Sequence, residues 1–170
     1  MKVVFLDIDG VLNQGFGDAH PSMVRNLNRV TRRAGACIVV HSSWRYLHRL
    51  EGLKTILKGW GVKGEVLDTT PIPEGAQVKF SGVILISNEA YSAFTQALPE
   101  EFRQREDKWN FERAASIQNW LNASGQDVSG FVILDDHKEF GHLAPHHIKT
   151  KMNVGLTQEQ AEHAIRLLRA

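Results

Sequence analysis

Three short stretches that are apolar at every position lead into polar or acidic residues: Val3 to Leu6, Ala36 to Val40 and Phe131 to Leu134. A strand with one wet face alternates apolar and polar residues. A strand apolar throughout is covered on both faces, as in a parallel sheet between two layers of helices. The segments between these runs carry helical spacing. His20-Pro21-Ser22 opens a helix with Met23, Val24, Leu27 and Val30 in one stripe, and Gly35 ends it. Leu47, Leu50, Leu53 and Leu57, with Ile56 and Trp60, mark a second helix closed by Gly59 and Gly61. Glu65 to Leu67 reads as a third strand, and residues 68–75 as a loop.

Farther on, Val83 to Ile86 reads as a strand and Ala90 to Leu98 as a helix stopped before Pro99. Glu100 to Lys108 is a mixed charge run suited to a solvated face. Asn110 is placed to cap a helix running through Leu121, and His147 to Lys149 to form a short edge strand. Thr157 and Gln160 form a capping box before a last helix that turns Leu156, Ala161, Ile165 and Leu168 inward. Alternation of strands and helices predicts an α/β fold, a three-layer sandwich around a central parallel sheet. The 170 residues make one domain, 1–170, with a segment at about 74–110 set aside as a small cap or lid insert.

Composition narrows the function classes. Twenty basic residues against nineteen acidic ones leave a net charge of +1, so no global field favours a polyanion or a membrane surface. Cys37, the lone cysteine, excludes an intrachain disulfide and reads as a small buried apolar residue. The first apolar run is too short for a signal peptide, and no stretch nears the ~18 apolar residues of a membrane span. The expectation is a soluble, cytoplasmic protein.

The apolar runs end in residues that carry chemistry. The first ends in Asp7 and Asp9, the second in Ser42 and Ser43, the last in Asp135 and Asp136. In a parallel sheet those ends converge on one crevice, where ligands bind. Four carboxylates in one crevice repel one another unless a cation neutralises them. Oxygen-only donors select a hard ion, and Mg²⁺ fits best. Of Asp7 and Asp9, one can serve as nucleophile and the other as general acid and base. A metal beside Asp7 keeps it ionised, and Asp9, farther off, can hold a proton. A metal, a carboxylate nucleophile and a hydroxyl donor suit a phosphoryl group. Arg113 is the candidate to offset the phosphoryl oxygens, with Lys108 as alternative; Ser43 competes with Ser42 as the hydroxyl donor.

These residues resemble the signature of the haloacid dehalogenase (HAD) superfamily. Phe5-Leu6-Asp7-Ile8-Asp9-Gly10-Val11 is similar to its first motif, Ile38-Val39-Val40-His41-Ser42 to its second, Arg113 to its third and Val132-Ile133-Leu134-Asp135-Asp136 to its fourth. Ser42-Ser43-Trp44-Arg45, and Arg113 with Ile117, Trp120 and Leu121, resemble a small HAD branch associated with nucleic-acid repair proteins. The resemblance implies a HAD-like Rossmannoid sandwich with a small or absent cap. It implies that Asp7 attacks phosphorus to form an aspartyl-phosphate while Asp9 protonates the leaving group and then activates water. It implies that Ser42 and Arg113 bind phosphoryl oxygens. Mg²⁺ would be held by the Asp7 carboxylate, the Asp9 backbone carbonyl and Asp135, with Asp136 direct or through water.

The expected activity is phosphomonoester hydrolysis on a phosphorylated small molecule or nucleic-acid end. A non-catalytic HAD-fold binding or regulatory module and a phosphotransferase are the alternatives. Trp44 and Arg45 directly follow the second motif and are candidates to touch substrate; Trp44 otherwise reads as a core residue, and Arg45 as a partner that pairs with Asp135 or Asp136 and orients them. Arg45, Arg49, Arg103, Arg105 and Lys108, with Trp44 and Trp109, would form a local basic-aromatic patch. The spacing of His137, His142, His146 and His147 fits no zinc pattern. Trp60 and Trp109 read as packing residues.

Overall fold

The computed structural model describes residues 1–78, 84–85, 87–103, 112–137 and 139–170. Its centre is a five-stranded, all-parallel sheet in the order β3-β2-β1-β6-β7. The strands are β1 (Lys2–Leu6), β2 (Ala36–Val40), β3 (Val66–Thr69), β6 (Gly130–Asp135) and β7 (His147–Lys149). The three fully apolar runs are the three central strands, and each is buried on both faces. Val4 and Leu6, Ile38 and Val40, and Val132 and Leu134 face one core. It is covered by α1 (Pro21–Ala34), α2 (Leu50–Gly59) and α6 (Gln158–Arg169). Val3 and Phe5, Val39 and Ile133 face a second core, covered by α5 (Glu112–Ala123) through Ala114, Ala115, Ile117 and Trp120. The three-layer α/β sandwich expected from the sequence is what forms.

Helix ends follow their local chemistry. His20 accepts from Ser22 N at the start of α1, Pro21 takes its first position, and Gly35 closes it at φ 65°. Thr157 and Gln160 make the reciprocal capping box of α6.

Four local expectations shift. The second helix begins at Leu50 rather than Leu47: Ser42 caps a short 3₁₀ turn over Ser43–Tyr46, and Leu47 emerges 68 % exposed. The third strand extends to Thr69, so Asp68 belongs to it and accepts from Trp120 Nε1 at 2.7 Å. The helix expected over 90–98 divides into α3 (Asn88–Phe94) and a single 3₁₀ turn, Thr95–Ala97. Thr95 Oγ1 donates back to the carbonyls of Tyr91 and Ser92, the competition that ends a helix at threonine. Cys37 is half-buried rather than buried, because it lies at the open N-terminal end of β2; its thiol donates to Glu65 at 3.6 Å. Burial, then the Glu65 charge, push the thiol pKa up.

Between β3 and α5 lie an antiparallel pair, β4 (Gln77–Val78) with β5 (Ile84–Leu85), then α3 and the short α4 (Glu100–Arg103). Asn119 Nδ2 donates to Phe94 O at 2.8 Å and Leu98 enters the second core, so this segment is tied to the α5 layer. Part of the strand read at 83–86, the Asn110 cap, Arg105, Lys108 and Trp109 lie outside the described residues. No helix among the described residues is long and apolar enough to cross a membrane.

Candidate active site

Leu6 is level with Val40 on one side and Leu134 on the other. The parallel ladder runs one step further: Asp7 N donates to Leu134 O, His41 N to Leu6 O and Thr150 N to Asp135 O, each at 3.0 Å. Chain register therefore delivers Asp7, His41 and Asp135 side by side at the C-terminal edge of the sheet. Ser42 and Asp136 follow one residue later.

Asp7, Asp135 and Asp136 each turn a carboxylate oxygen into one cluster, all within 4.8 Å of one another. Asp7 and Asp135 are buried and Asp136 is half-buried. Asp7 Oδ1 accepts from Ile8 N at 2.8 Å, and Asp135 Oδ1 accepts from His137 N at 2.6 Å. Gly10, at φ 76°, leaves the room this needs: a Cβ there would stand 2.7 Å from Asp136 Oδ2. The Gly10 carbonyl is held by Thr150 Oγ1 at 2.7 Å.

Among the described residues, the single cation in the cluster is Arg113, at the start of α5. Its Nη1 lies 2.9 Å from Asp7 Oδ2 and also pairs with Asp135 Oδ2. One positive charge faces three carboxylates. Burial first, then the charge of Asp7, hold Asp135 and Asp136 above the ordinary carboxylate range, with Arg113 opposing. A cluster of hard oxygen donors with surplus negative charge has the ligand set of a metal site.

Asp9 stands apart from this cluster. Asn13 Nδ2 donates to its Oδ1 at 2.8 Å and Trp44 Nε1 to its Oδ2 at 2.8 Å. Asn13 is itself buried; its Oδ1 accepts from Gly10 N and Gly15 N, and its amide also donates to Gly17 O. One side chain thus shapes the loop after β1 and aims its second carboxylate. Trp44, expected near substrate, is a hydrogen-bond partner of Asp9.

Arg45 does not pair with Asp135 or Asp136. The 3₁₀ turn carries its side chain back under the strand end, where Nη1 donates to the carbonyls of His41 and Ser42. Its Nη2 pairs with Glu112, which also accepts from Tyr46 Oη at 3.0 Å. Glu112 immediately precedes Arg113, so this buried pair pins the start of α5 to the β2 end and sets where Arg113 emerges. Being buried, Arg45 contributes nothing to a surface patch. Arg103 Nη1 donates to Gln96. His41 is fully buried with Nε2 3.3 Å from Asp135 Oδ2; burial, then Arg113 and Arg45, hold its pKa well below the ordinary value, so it is neutral.

Ser42 is buried, and its Oγ accepts from Trp44 N at 3.4 Å, which leaves its O–H to donate. Ser43 is half-buried in the turn. The histidines after β6 serve packing: His146 stacks on Phe131 with centroids 4.0 Å apart, His147 bonds Asp135 O and His142 bonds Gln118.

The raised carboxylates carry a prediction. Unfolded aspartates ionise near ~3.9, whereas Asp135 and Asp136 in the fold keep their protons to higher pH. Above ~4 the folded state therefore binds more protons than the unfolded one, and stability attributable to this cluster falls as pH rises. A metal ion must displace those protons, so its stabilising effect grows over the same range. Thermal midpoints in chelator should fall relative to Asp135→Asn as pH rises from 5 to 7.5, and the increment from Mg²⁺ should widen. A metal increment independent of pH would contradict this.

A family model described as the HAD domain in Swiss Army Knife RNA repair proteins matches residues 3–161. No curated protein and no solved structure matches the chain.

Proposed function

The chain belongs to the family of HAD domains in Swiss Army Knife RNA repair proteins, and on that premise we propose that it is a Mg²⁺-dependent phosphatase for the terminal phosphate of a nucleic-acid strand, working in the cytoplasm. The observation that carries this is the separation of two carboxylates by one residue. Asp7 lies inside the acid cluster against Arg113, while Asp9 lies outside it, held by Asn13 and Trp44.

In the proposed reaction a terminal phosphoryl group enters over Asp7. Arg113 shifts its hydrogen bonds to two phosphoryl oxygens, and the Ser42 hydroxyl, or that of Ser43, donates to a third. An Asp7 carboxylate oxygen attacks phosphorus. The bond to the leaving oxygen breaks, its electron pair stays on that oxygen, and Asp9 supplies the proton. Asp9 then takes a proton from water, whose oxygen attacks the aspartyl-phosphate and releases inorganic phosphate and free Asp7. Asp7, Asp135, Asp136 and the Asp9 carbonyl would hold Mg²⁺, which would supply charge neutralisation for the phosphoryl oxygens. Asn13 and Trp44 keep Asp9 out of the cluster, free for proton transfer. We read the chain as a single domain with a small cap or lid insert at about 74–110.

The test is phosphate release from an aryl phosphate, sugar phosphates, nucleotides and 3′- and 5′-phosphorylated oligonucleotides, with Mg²⁺ and with chelator. Metal-dependent release, highest on oligonucleotide ends, supports the reading. No release from folded, metal-loaded protein favours a binding module; release only when a second acceptor is present favours a phosphotransferase.

A further inference from the structure

A group of cations without ion-pair partners among the described residues gathers away from the acid cluster. An open cavity of about 700 Å³ lies between α1 and the connection from α2 to β3, with Arg25, Arg29, Arg32 and Lys63 on its wall. A second, of about 740 Å³, shares Lys63, Gly64 and Glu65 with it and adds Lys54 and Lys58. The two adjoin at Lys63, Gly64 and Glu65; taken as one trough, their walls carry six cations and a single acid, Glu65. Arg29 is paired with Glu162 at 3.5 Å and Lys54 with Glu51 at 2.9 Å. Arg25, Arg32, Lys58 and Lys63 are exposed, and among the described residues none has an ion-pair partner.

Four unpaired cations are a large concentration in a chain of net charge +1. Arg32 and Lys58 sit in the last turns of their helices, where a cation complements the helix dipole. Arg25 and Lys63 have no such role. Arg25 is in the first half of α1, toward its positive end, and Lys63 is in a connection. Their convergence on one trough needs another reason.

The trough reaches the N-terminal end of β2, at Ala36 and Cys37, and at Gly61 it adjoins Trp60, which leads toward the candidate active site. Trp44, hydrogen-bonded to Asp9, packs edge-on against Trp60 with centroids 5.5 Å apart. Trp60 is followed by Gly61, which lines the trough. The order from the site outward is carboxylate, two half-buried indoles, cations. Stacking surfaces followed by cations suit a single strand, whose bases stack and whose phosphates pair.

We infer that this trough binds the phosphodiester backbone of a single-stranded RNA whose terminal phosphate lies at Asp7. The inference rests on the proposed function for its direction, but the binding it asserts is measurable without turnover. Arg25 and Arg32 stand seven residues apart on α1, ~10 Å at 1.5 Å per residue, so the trough engages internal phosphates of the strand and not its end. Length should therefore matter: a strand long enough to lie in the trough gains binding that a phosphorylated dinucleotide held at Asp7 does not.

The experiment is fluorescence anisotropy with a labelled, unphosphorylated oligouridylate of about a dozen nucleotides over a salt series in Mg²⁺. The protein is compared with Arg25→Glu/Lys63→Glu, both exposed positions outside the catalytic machinery. The wild type should bind with a log–log salt slope to which these two contacts contribute about 1.4, at ~0.7 per phosphate on a single strand. The variant should lose that share of the slope and at least about tenfold in low-salt affinity. Its thermal midpoint and its turnover of an aryl phosphate and a phosphorylated dinucleotide should not change. Arg32→Gln/Lys58→Gln should act in the same direction, less strongly.

Equal RNA binding by folded variant and wild type would overturn the inference. So would salt-independent binding, or competition by polyglutamate as effective as by unlabelled RNA, which would assign the trough to an acidic protein. A wild type that releases no phosphate but binds RNA through the trough would sink the phosphatase reading and leave this one standing. Turnover of short substrates with no RNA binding would do the reverse.

Discussion

Asp7→Asn should abolish phosphate release, lowering kcat by at least about 10⁴ while leaving the protein folded. The change is nearly isosteric. The amide oxygen can still accept from Ile8 N, as Asp7 Oδ1 does at 2.8 Å, so the turn after β1 keeps its anchor. What is lost is the charge and the nucleophilic lone pair that the proposed first step needs. An amide cannot form the acyl phosphate, and no neighbour replaces it. Asp135 and Asp136 lie at the end of the adjacent strand β6, in the proposed metal set, and Asp9 is turned toward Asn13 and Trp44. Release measured under saturating Mg²⁺, with circular dichroism on the same sample, checks this. Retention of more than a few per cent of the wild-type rate would remove Asp7 from the nucleophile's role.

Arg113→Ala should act on both stability and turnover. Among the described residues, Arg113 is the sole cation contacting Asp7 and Asp135, and it bridges them through one nitrogen. Removing it leaves buried carboxylates uncompensated, a change worth about 3 kcal/mol in a metal-free protein at neutral pH. The loss should shrink at acid pH, where the carboxylates take up protons, and in Mg²⁺, which supplies the missing charge. Turnover behaves differently, because metal does not replace a donor aimed at the phosphoryl oxygens. We expect kcat/KM to fall on the order of 10²–10³-fold even in saturating Mg²⁺. Arg113→Lys keeps the charge but not the fork, so it should recover most of the stability and only part of the rate. Urea melts with and without chelator, beside steady-state kinetics, separate the two effects. Equal recovery of both by Mg²⁺ would show that Arg113 only balances the carboxylates.

How much of this was legible in the sequence follows from where each residue finds its partners. Strands buried on both faces advertise themselves, and the three fully apolar runs became the three central strands. Because parallel register aligns their ends, Asp7, Asp135 and Asp136 could be brought together from sequence, and Arg113 joins them at the start of α5. Boundaries failed where local side-chain bonds decide them. The Ser42 cap makes a 3₁₀ turn where an apolar stripe suggested helix, and Thr95 ends α3 early. Arg45 was misplaced for a related reason. Its spacing after the second strand suited the acids, but the tight turn reverses the side chain onto the His41 and Ser42 carbonyls and onto Glu112, sixty-seven residues away. Asn13, Thr150 and Glu112 gave little signal, since their roles are single contacts to distant atoms. The faint cue for Asn13 was an amide closing an otherwise apolar Val11-Leu12 pair inside a glycine-rich loop.

Direct identification of the phosphorylated residue tests the central claim most closely. The protein would be mixed with a 3′- or 5′-phosphorylated oligonucleotide in Mg²⁺, quenched in acid during turnover and digested, and its peptides weighed. A phosphoryl group on the peptide carrying Asp7, absent from Asp7→Asn and lost on incubation at neutral pH, is the predicted result. Turnover with no phosphoryl-peptide at any quench time, or with the group on a residue other than Asp7, would contradict it.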